Sequence, residues 1–395
     1  MEKFSGFNNK LRVLEFSASL VEIGLRDSFK LSFVDIVERP SVLIKVAIED
    51  VHSGVSGVGF AEGVGLPLPL FTDDCSSNMK DNAIELMNYM FEEGDFCGLA
   101  GMLKSVQRYK FGSGGNFPAV RLAAEAAILD SFSRLCGISV SNMLGVVASS
   151  EVPYGKSISA SSVNDMLHQS RLAIKQGASK MKLKVMPENI NEVVETIKGL
   201  RDSYPNIGLM VDANGGFDPT KDEHIDALKW LDSMGLLMIE EPVSRSGPVR
   251  GLDSVELMRQ KIPELLTPIC LDDCLLSYDD CVYAIDSGLA DVINIKPSRI
   301  GSVVGSIDLI DLCYRSNKQL MVGGMLEATP GRCLNAVLSA YCILKGFAIP
   351  GDLSLPEERL KMDIEGIDSC LRYGPGGGVV LCDGLGWGYN YDHGE

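Results

Sequence analysis

IGLMVDANGGFDPTKDEHIDALKWLDSMGLLMIEEP, residues 207–242, holds one complete strand–helix–strand unit. Its two apolar runs, 207–214 and 236–242, each end in acidic or amide residues, and a helical stretch lies between them. The same grammar recurs from about residue 150 onward, in KSISA (156–160), SKMKLKV (179–185), PICLDD (268–273), DVINIKPS (291–298), QLMVGGM (319–325) and FAIPGD (347–352). Eight strand-like runs alternating with helices predict an α/β fold, a parallel (β/α) barrel. The alternative is a doubly wound open sheet, which would bring a glycine-rich phosphate loop after its first strand. The sequence has neither GxGxxG nor GxxxxGK[ST], and the glycine-rich stretch 374–388 reads as a loop.

Upstream the pattern differs. Residues 42–48 (VLIKVAI) and 55–61 are β-rich, the second punctuated by Gly54, Gly57, Gly59 and Gly63. MKDNAIELMNYMFEE (79–93) and PAVRLAAEAAILDSFSRLC (118–136) then carry helical spacing, the latter with Pro118 at its start. Strands first and helices after predict an α+β domain over 1–125, with the barrel occupying 126–354. A chain of 395 residues also exceeds what one core usually holds.

Composition narrows the function. With 46% hydrophobic and 23% charged residues the chain reads as soluble and globular. A net charge of −17, with no basic run to offset it, argues against nucleic acid or an anionic membrane as partner. The polar opening MEKFSGFNNK predicts no signal peptide, and no uncharged apolar run reaches the roughly 18 residues expected of a membrane span. The eleven cysteines contain no C-x-x-C pair, and Cys136, Cys270, Cys313 and Cys333 sit in apolar surroundings, so reduced thiols and a cytoplasmic location are expected.

In a parallel barrel the active site lies at the carboxyl ends of the strands. Read in order, those ends supply Lys182 and Lys184, then Asp212, Glu240, Asp272 and Lys296. From Lys184 onward the steps are 28, 28, 32 and 24 residues, each about one strand-plus-helix unit. Three carboxylates therefore meet between lysines on either side. Crowded carboxylates repel, so a cation is expected among them, and oxygen ligands with no His or Cys nearby favour Mg²⁺, with Mn²⁺ second. An inert salt-bridge network is the alternative. Lys182 and Lys184, two apart on one strand, both point into the mouth; close ammonium groups beside a divalent ion would lower at least one pKa and make a general base.

These motifs resemble the enolase superfamily, in particular its muconate-lactonizing subgroup. Within it they look most like the o-succinylbenzoate synthase/N-succinylamino acid racemase family. The matching segments are K-L-K (182–184), V-D-A-N (211–214), I-E-E-P (239–242), C-L-D-D (270–273), N-I-K-P-S-R-I-G (294–301), G-G-M-L-E (323–327) with Gly331-Arg332, and Pro350-Gly351-Asp352. FPAVRLAAEAAILD (117–130) resembles the helix leading into the barrel. The resemblance implies a modified (β/α)7β TIM-type barrel, with the N-terminal domain and the tail, about 355–395, capping its mouth. It implies Asp212, Glu240 and Asp272 as metal ligands. Lys184 and Lys296 would be the catalytic groups on opposite faces of a small-molecule carboxylate, Lys182 the group that tunes Lys184 and contacts that carboxylate. Asn214 and Asp273 would neighbour the metal ligands, Gly323, Gly324 and Met325 would line the distal part of the substrate, and loops near 17–27 and 54–66 would shape specificity. It also suggests a homo-oligomer. Asp273 departs from the family's usual Glu, Ser302 from a second Gly, and Ala328-Thr329-Pro330 from the common stretch.

The implied reaction removes a proton alpha to a carboxylate through an enediolate, and lysine bases beside Mg²⁺ are the established pattern of enolase-superfamily sites. Dehydration by an o-succinylbenzoate synthase, a step of menaquinone biosynthesis, is the leading reading. Racemisation of an N-succinylamino acid, or epimerisation of another acyl amino acid or dipeptide, uses the same residues. A catalytically silent binding barrel is the alternative outside enzymes.

Overall fold

The computed structural model describes residues 4, 7, 9–30, 35–147, 150–158, 160, 162–245, 247–368 and 370–392. Seven parallel strands form one curled sheet in sequential order: Gly155–Ile158, Lys180–Lys184, Gly208–Asp212, Ile239–Glu240, Ile269–Leu271, Val292–Ile295 and Gln319–Val322. A helix follows each of the seven strands as the sequence predicts, the longest being Thr329–Leu344 after the seventh strand. The outward residues of the strands join the main apolar core, while Met210, Met238, Cys270, Val292 and Met321 form a separate plug inside the barrel. Alternation of side chains along each strand produces this division.

The eighth run, 347–352, is not a strand. It closes the barrel through a single parallel bridge, Tyr154 to Gly351, with the Gly155 amide donating to the Gly351 carbonyl at 2.8 Å and the Asp352 amide to that of Val322 at 3.0 Å. Pro350 has no amide hydrogen, so a longer ladder is denied at that point. The first run is also shorter than 156–160; its Ser159 lies outside the described residues.

A four-stranded antiparallel sheet precedes the barrel, with Ser56–Val64, Asp35–Asp50, Lys10–Lys30 and Asp95–Cys97 in that order. Its helices are Met79–Glu92, Gly98–Arg108 and Pro118–Leu135. Two expected loops are corrected. Residues 17–27 belong to the long strand Lys10–Lys30, and most of 54–66 to the strand Ser56–Val64. The first of these strands is hard to read because its pairing slips between Val13 and Glu15 and again between Gly24 and Phe29, which breaks the alternation.

The helix Pro118–Leu135 is the hinge of the architecture, buried along nearly its whole length. Gly57, Gly59 and Gly63 let the cap sheet lie directly on it; a Cβ on Gly59 would stand 2.2 Å from the Ala127 carbonyl oxygen. Buried carboxylates tie the layers together. Glu125 accepts from the amides of Val303 (2.8 Å) and Val304 (3.3 Å), Asp74 from Ala119 (3.0 Å), and Asp130 from Phe60 (3.0 Å) and Trp387 (2.9 Å). The tail thus meets the cap as well as the barrel.

The tail also corrects the expectation of free thiols throughout: Cys370 and Cys382 are joined in a disulfide. Cys136 is exposed rather than buried, at the end of its helix, whereas Cys270, Cys313 and Cys333 are buried. No helix among the described residues is long and apolar enough to cross a membrane.

Candidate active site

The second barrel strand reads K-M-K-L-K, and its alternation sends Met181 and Leu183 outward into the core and three lysines inward. Strand register then fixes the neighbours. Lys184 lies opposite Asp212, Asp212 opposite Glu240, and Glu240 opposite Cys270, which puts Asp272 one inward position higher. Lys296 follows the sixth strand, immediately before the short helix Pro297–Ile300. Lys184 and Lys296 therefore flank three consecutive strands that carry the acids.

Each acid has its own cation. Lys184 Nζ donates to Asp212 Oδ2 at 2.5 Å and to Asn214 Oδ1 at 2.6 Å. Lys182 Nζ stands 3.3 Å from both Glu240 oxygens and 3.9 Å from Asp212. Lys296 Nζ donates to Asp272 Oδ2 at 2.6 Å, while Arg299 reaches Asp272 Oδ1 and Asp273 Oδ1, each at 2.9 Å. Asn214 Nδ2 lies 3.3 Å from Asp273 Oδ2. Among the described residues, only Cys333, Cys370 and Cys382 bring three metal-capable side chains within 4.8 Å of one another. The oxygens of Asp212, Glu240 and Asp272 thus share neighbouring strand ends and are turned apart toward separate ammonium and guanidinium groups.

Burial decides the electrostatics. Glu240, fully buried, is pushed up to about 8 by desolvation, with Lys182 pulling it down and Asp212, Asp272 and Asp352 pushing further up. Burial also raises Asp212, but the ammonium groups of Lys184 and Lys182 outweigh it and hold that carboxyl below its usual range. For Lys182 the direction is opposite to the one expected of at least one lysine in its pair. Burial works to lower Lys182 and Lys296, yet the carboxylates around them win: Lys182 stands well above its ordinary value and Lys296 above it. With the acids turned onto the amines, the ammonium form is favoured.

The donor set suits a hard divalent cation. Three carboxylates offer only oxygen, and Glu240 is so desolvated beside two other acids that the nearby lysine does not fully compensate it. Rotation of the acid side chains away from the lysines is required for all three to meet one ion.

Gly323 and Gly324 follow the seventh strand. A Cβ on Gly323 would sit 2.2 Å from Asn294 Oδ1, and one on Gly324 2.8 Å from Glu327 Oε2. The Met325 amide donates to Glu327 Oε1 at 2.7 Å. Asn294 in turn donates to Glu240 Oε1 at 3.0 Å, so the first glycine keeps a neighbour of Glu240 in place.

Several participants are not singled out by the sequence reading. Arg299 has a signal, since it falls within the N-I-K-P-S-R segment. Asp352 lies in the Pro-Gly-Asp segment and touches Lys182 at 2.5 Å. Phe71, from the N-terminal part of the chain, has none; its ring lies under the guanidinium groups of Arg245 (4.1 Å) and Arg299 (5.0 Å), and Arg245 also reaches Asp273 at 3.3 Å.

Residues 165–394 match the family described as enolase C-terminal domain-like. The o-succinylbenzoate synthase of Bacillus subtilis (strain 168) is 33% identical over 338 residues, 85% of this chain and 83% of that protein. The N-succinylamino acid racemase of Thermus thermophilus is 29% identical over 90% of this chain and 89% of its own. Among solved structures, a dipeptide epimerase from Enterococcus faecalis V583, complexed with Mg and the dipeptide L-Leu-L-Tyr, superposes with a TM-score of 0.76 at 19% identity, covering 96% of this chain and all of that one.

Proposed function

The chain belongs to the enolase superfamily, and on that premise we propose that it catalyses Mg²⁺-dependent removal of a proton alpha to a carboxylate, acting as an o-succinylbenzoate synthase. The observation that carries this reading is the placement of Lys184 at the end of, and Lys296 just after, the two strands that flank the three acid-bearing ones. The likeness to synthases at about one-third identity supports the dehydration over the other reactions of the superfamily.

Asp212, Glu240 and Asp272 would hold the divalent ion, which when bound neutralises charge that builds on the substrate carboxylate as the α-proton leaves. The chain's own residues would do the rest. Lys182 offers an ammonium to the same carboxylate. Lys184, with Asp212 drawn off it, would take the α-proton at Nζ. The protonated Lys184 then returns that proton to the departing hydroxyl, so one amine serves both halves of a dehydration on one face. Lys296 stays cationic on the opposite face, held by Asp272 and Asp273, and opposes the negative charge of the enediolate.

Racemisation of an N-succinylamino acid is the second reading, favoured by the relative of that name and by the opposed placement of the two lysines. It requires Lys296 to exchange a proton as Lys184 does. Incubation with Mg²⁺ in D₂O tests both at once. Loss of water from the cyclohexadiene substrate of o-succinylbenzoate synthesis supports the synthase, and deuterium entering N-succinylamino acids at the α-carbon supports the racemase. A chain that does neither, with Mg²⁺ or Mn²⁺ present, overturns the proposal.

A further inference from the structure

The K-M-K-L-K strand carries one more inward lysine than the chemistry above employs. Lys180 is fully buried beneath Lys182, and its Nζ lies 3.3 Å from Met321 Sδ, against the methionine-rich plug. Room for it is made by Gly155, whose Cβ would stand 2.2 Å from Lys180 Cε. An ammonium in apolar surroundings is costly unless paired, and such a pair rarely repays its desolvation in stability. Among the described residues the one carboxylate within 4.0 Å of Lys180 is Asp352, whose Oδ1 is 3.4 Å away.

The other oxygen of Asp352 accepts from Lys182 Nζ at 2.5 Å, closer than either Glu240 oxygen (3.3 Å) or Asp212 (3.9 Å). One carboxylate thus spans two lysines of the same strand. Its backbone is fixed as well: the Asp352 amide donates to the Val322 carbonyl at 3.0 Å, and its carbonyl accepts from Arg332. With both oxygens and both backbone groups engaged, Asp352 has little freedom, whereas Lys182 has four rotatable bonds. The fixed group therefore sets the position of the mobile one.

We propose that Asp352 is a positioning residue: with Lys180 holding its far oxygen, it fixes the depth and direction of the Lys182 ammonium and thereby the binding of the substrate carboxylate. This rests on the proposed function, in which Lys182 meets that carboxylate. In its absence Lys182 would follow Glu240 or Asp212 and compete with the ion for their oxygens.

The test uses the full chain with saturating Mg²⁺, and as probe whichever of the synthase diene or N-succinylamino acids the wild type turns over. Asp352→Asn is expected to raise KM at least about tenfold, with a smaller change in kcat, and Asp352→Glu to recover most of the loss. A structural role and a positioning role part in the double variant Lys180→Met/Asp352→Asn. Removing the buried cation together with its anion restores charge balance, so thermal stability should return while the raised KM persists. Recovery of a wild-type KM in that double variant, or a wild-type KM in Asp352→Asn itself, overturns the inference. Should Asp352→Asn not fold, the double variant alone decides. A wild type that turns over no carboxylate at all means that the functional reading has failed, and this inference falls with it; a working wild type with indifferent variants sinks the inference only.

Discussion

Two sets of buried carboxylates, at the cap–barrel seam and at the barrel mouth, show how differently one fold treats the same chemical group. At the seam the acids are anchored by backbone amides at helix starts, with side chains such as Arg39 on Glu62 and Gln107 on Glu125 added to them. Glu125 faces the first turn of Val303–Arg315, Glu62 that of Thr329–Leu344 through the amides of Ala328 (3.0 Å) and Gly331 (3.1 Å), and Asp74 that of Pro118–Leu135. Amides and helix dipoles cannot swing away, so these acids are mortar. At the mouth, Asp212, Glu240 and Asp272 are met chiefly by ammonium, guanidinium and amide side chains, which can move. Fixed donors make an acid structural; movable donors leave it free to change partners.

The sharpest way to break this contrast is to remove one movable donor. Lys184→Ala should cut α-proton exchange or dehydration by about 10²–10⁴-fold, followed by mass spectrometry in D₂O, with thermal stability near that of the wild type. A rate within a few-fold of wild type would mean that the base is elsewhere. Removal of divalent ions by EDTA should abolish turnover and their readdition restore it, again without loss of fold, because the mouth acids have lysines to return to.

The seam should behave oppositely. Glu125→Ala strands the amides of Val303 and Val304, the Ser302 hydroxyl and the Gln107 amide, and should cost about 3 kcal/mol in denaturant unfolding while turnover per folded molecule stays unchanged. Glu125 at the seam and Asp212 at the mouth also differ in the sign of their response to pH, whereas Glu240 at the mouth is raised as Glu125 is. Burial raises Glu125 to about 7 against the pull of Ser302, Gln107 and the amides, so the folded state binds a proton that the unfolded state has released. Its contribution to stability therefore falls as pH rises from about 4.5 to about 7. Asp212 is lowered, so its contribution is present above the ordinary aspartate range and is lost as pH falls through it. Unfolding measured from about pH 4.5 to about pH 7.5 should show a downward slope that Glu125→Gln makes shallower. An unchanged slope would remove Glu125 from the account. The smallest effect is expected of Phe71→Ala, which takes the ring from under Arg245 and Arg299: about 1 kcal/mol in stability, and a KM change of less than about threefold.

This contrast also explains what can be read from sequence. The barrel is legible because short strand-like runs alternate with helical stretches, and the ends of 180–184, 208–212 and 239–240 are all charged. The eighth run misleads because FAIPGD has the composition of a strand, while the ladder is decided by Pro350 and by the edge it meets. Lys180 stays hidden for a different reason. Periodicity places it inward but says nothing of depth, and only the fold brings it to Asp352, 172 residues away. The seam acids are invisible: Glu125 lies amid alanines on a helix, and nothing local reports that the Val303 amide, 178 residues on, will face it. The pairing of Cys370 with Cys382 is likewise concealed, since the number of cysteines cannot tell which two the chain will bring together.

Trp387 and Tyr389 close the cap from the far end of the sequence. The Trp387 indole donates to the Ala126 carbonyl at 2.9 Å, the Tyr389 hydroxyl to that of Phe60, and Arg134 to the Tyr389 carbonyl at 2.8 Å. On the ribosome the cap strands emerge first, yet these covers emerge only after all seven barrel strands. The cap therefore cannot complete its own contacts until every barrel strand has been synthesised.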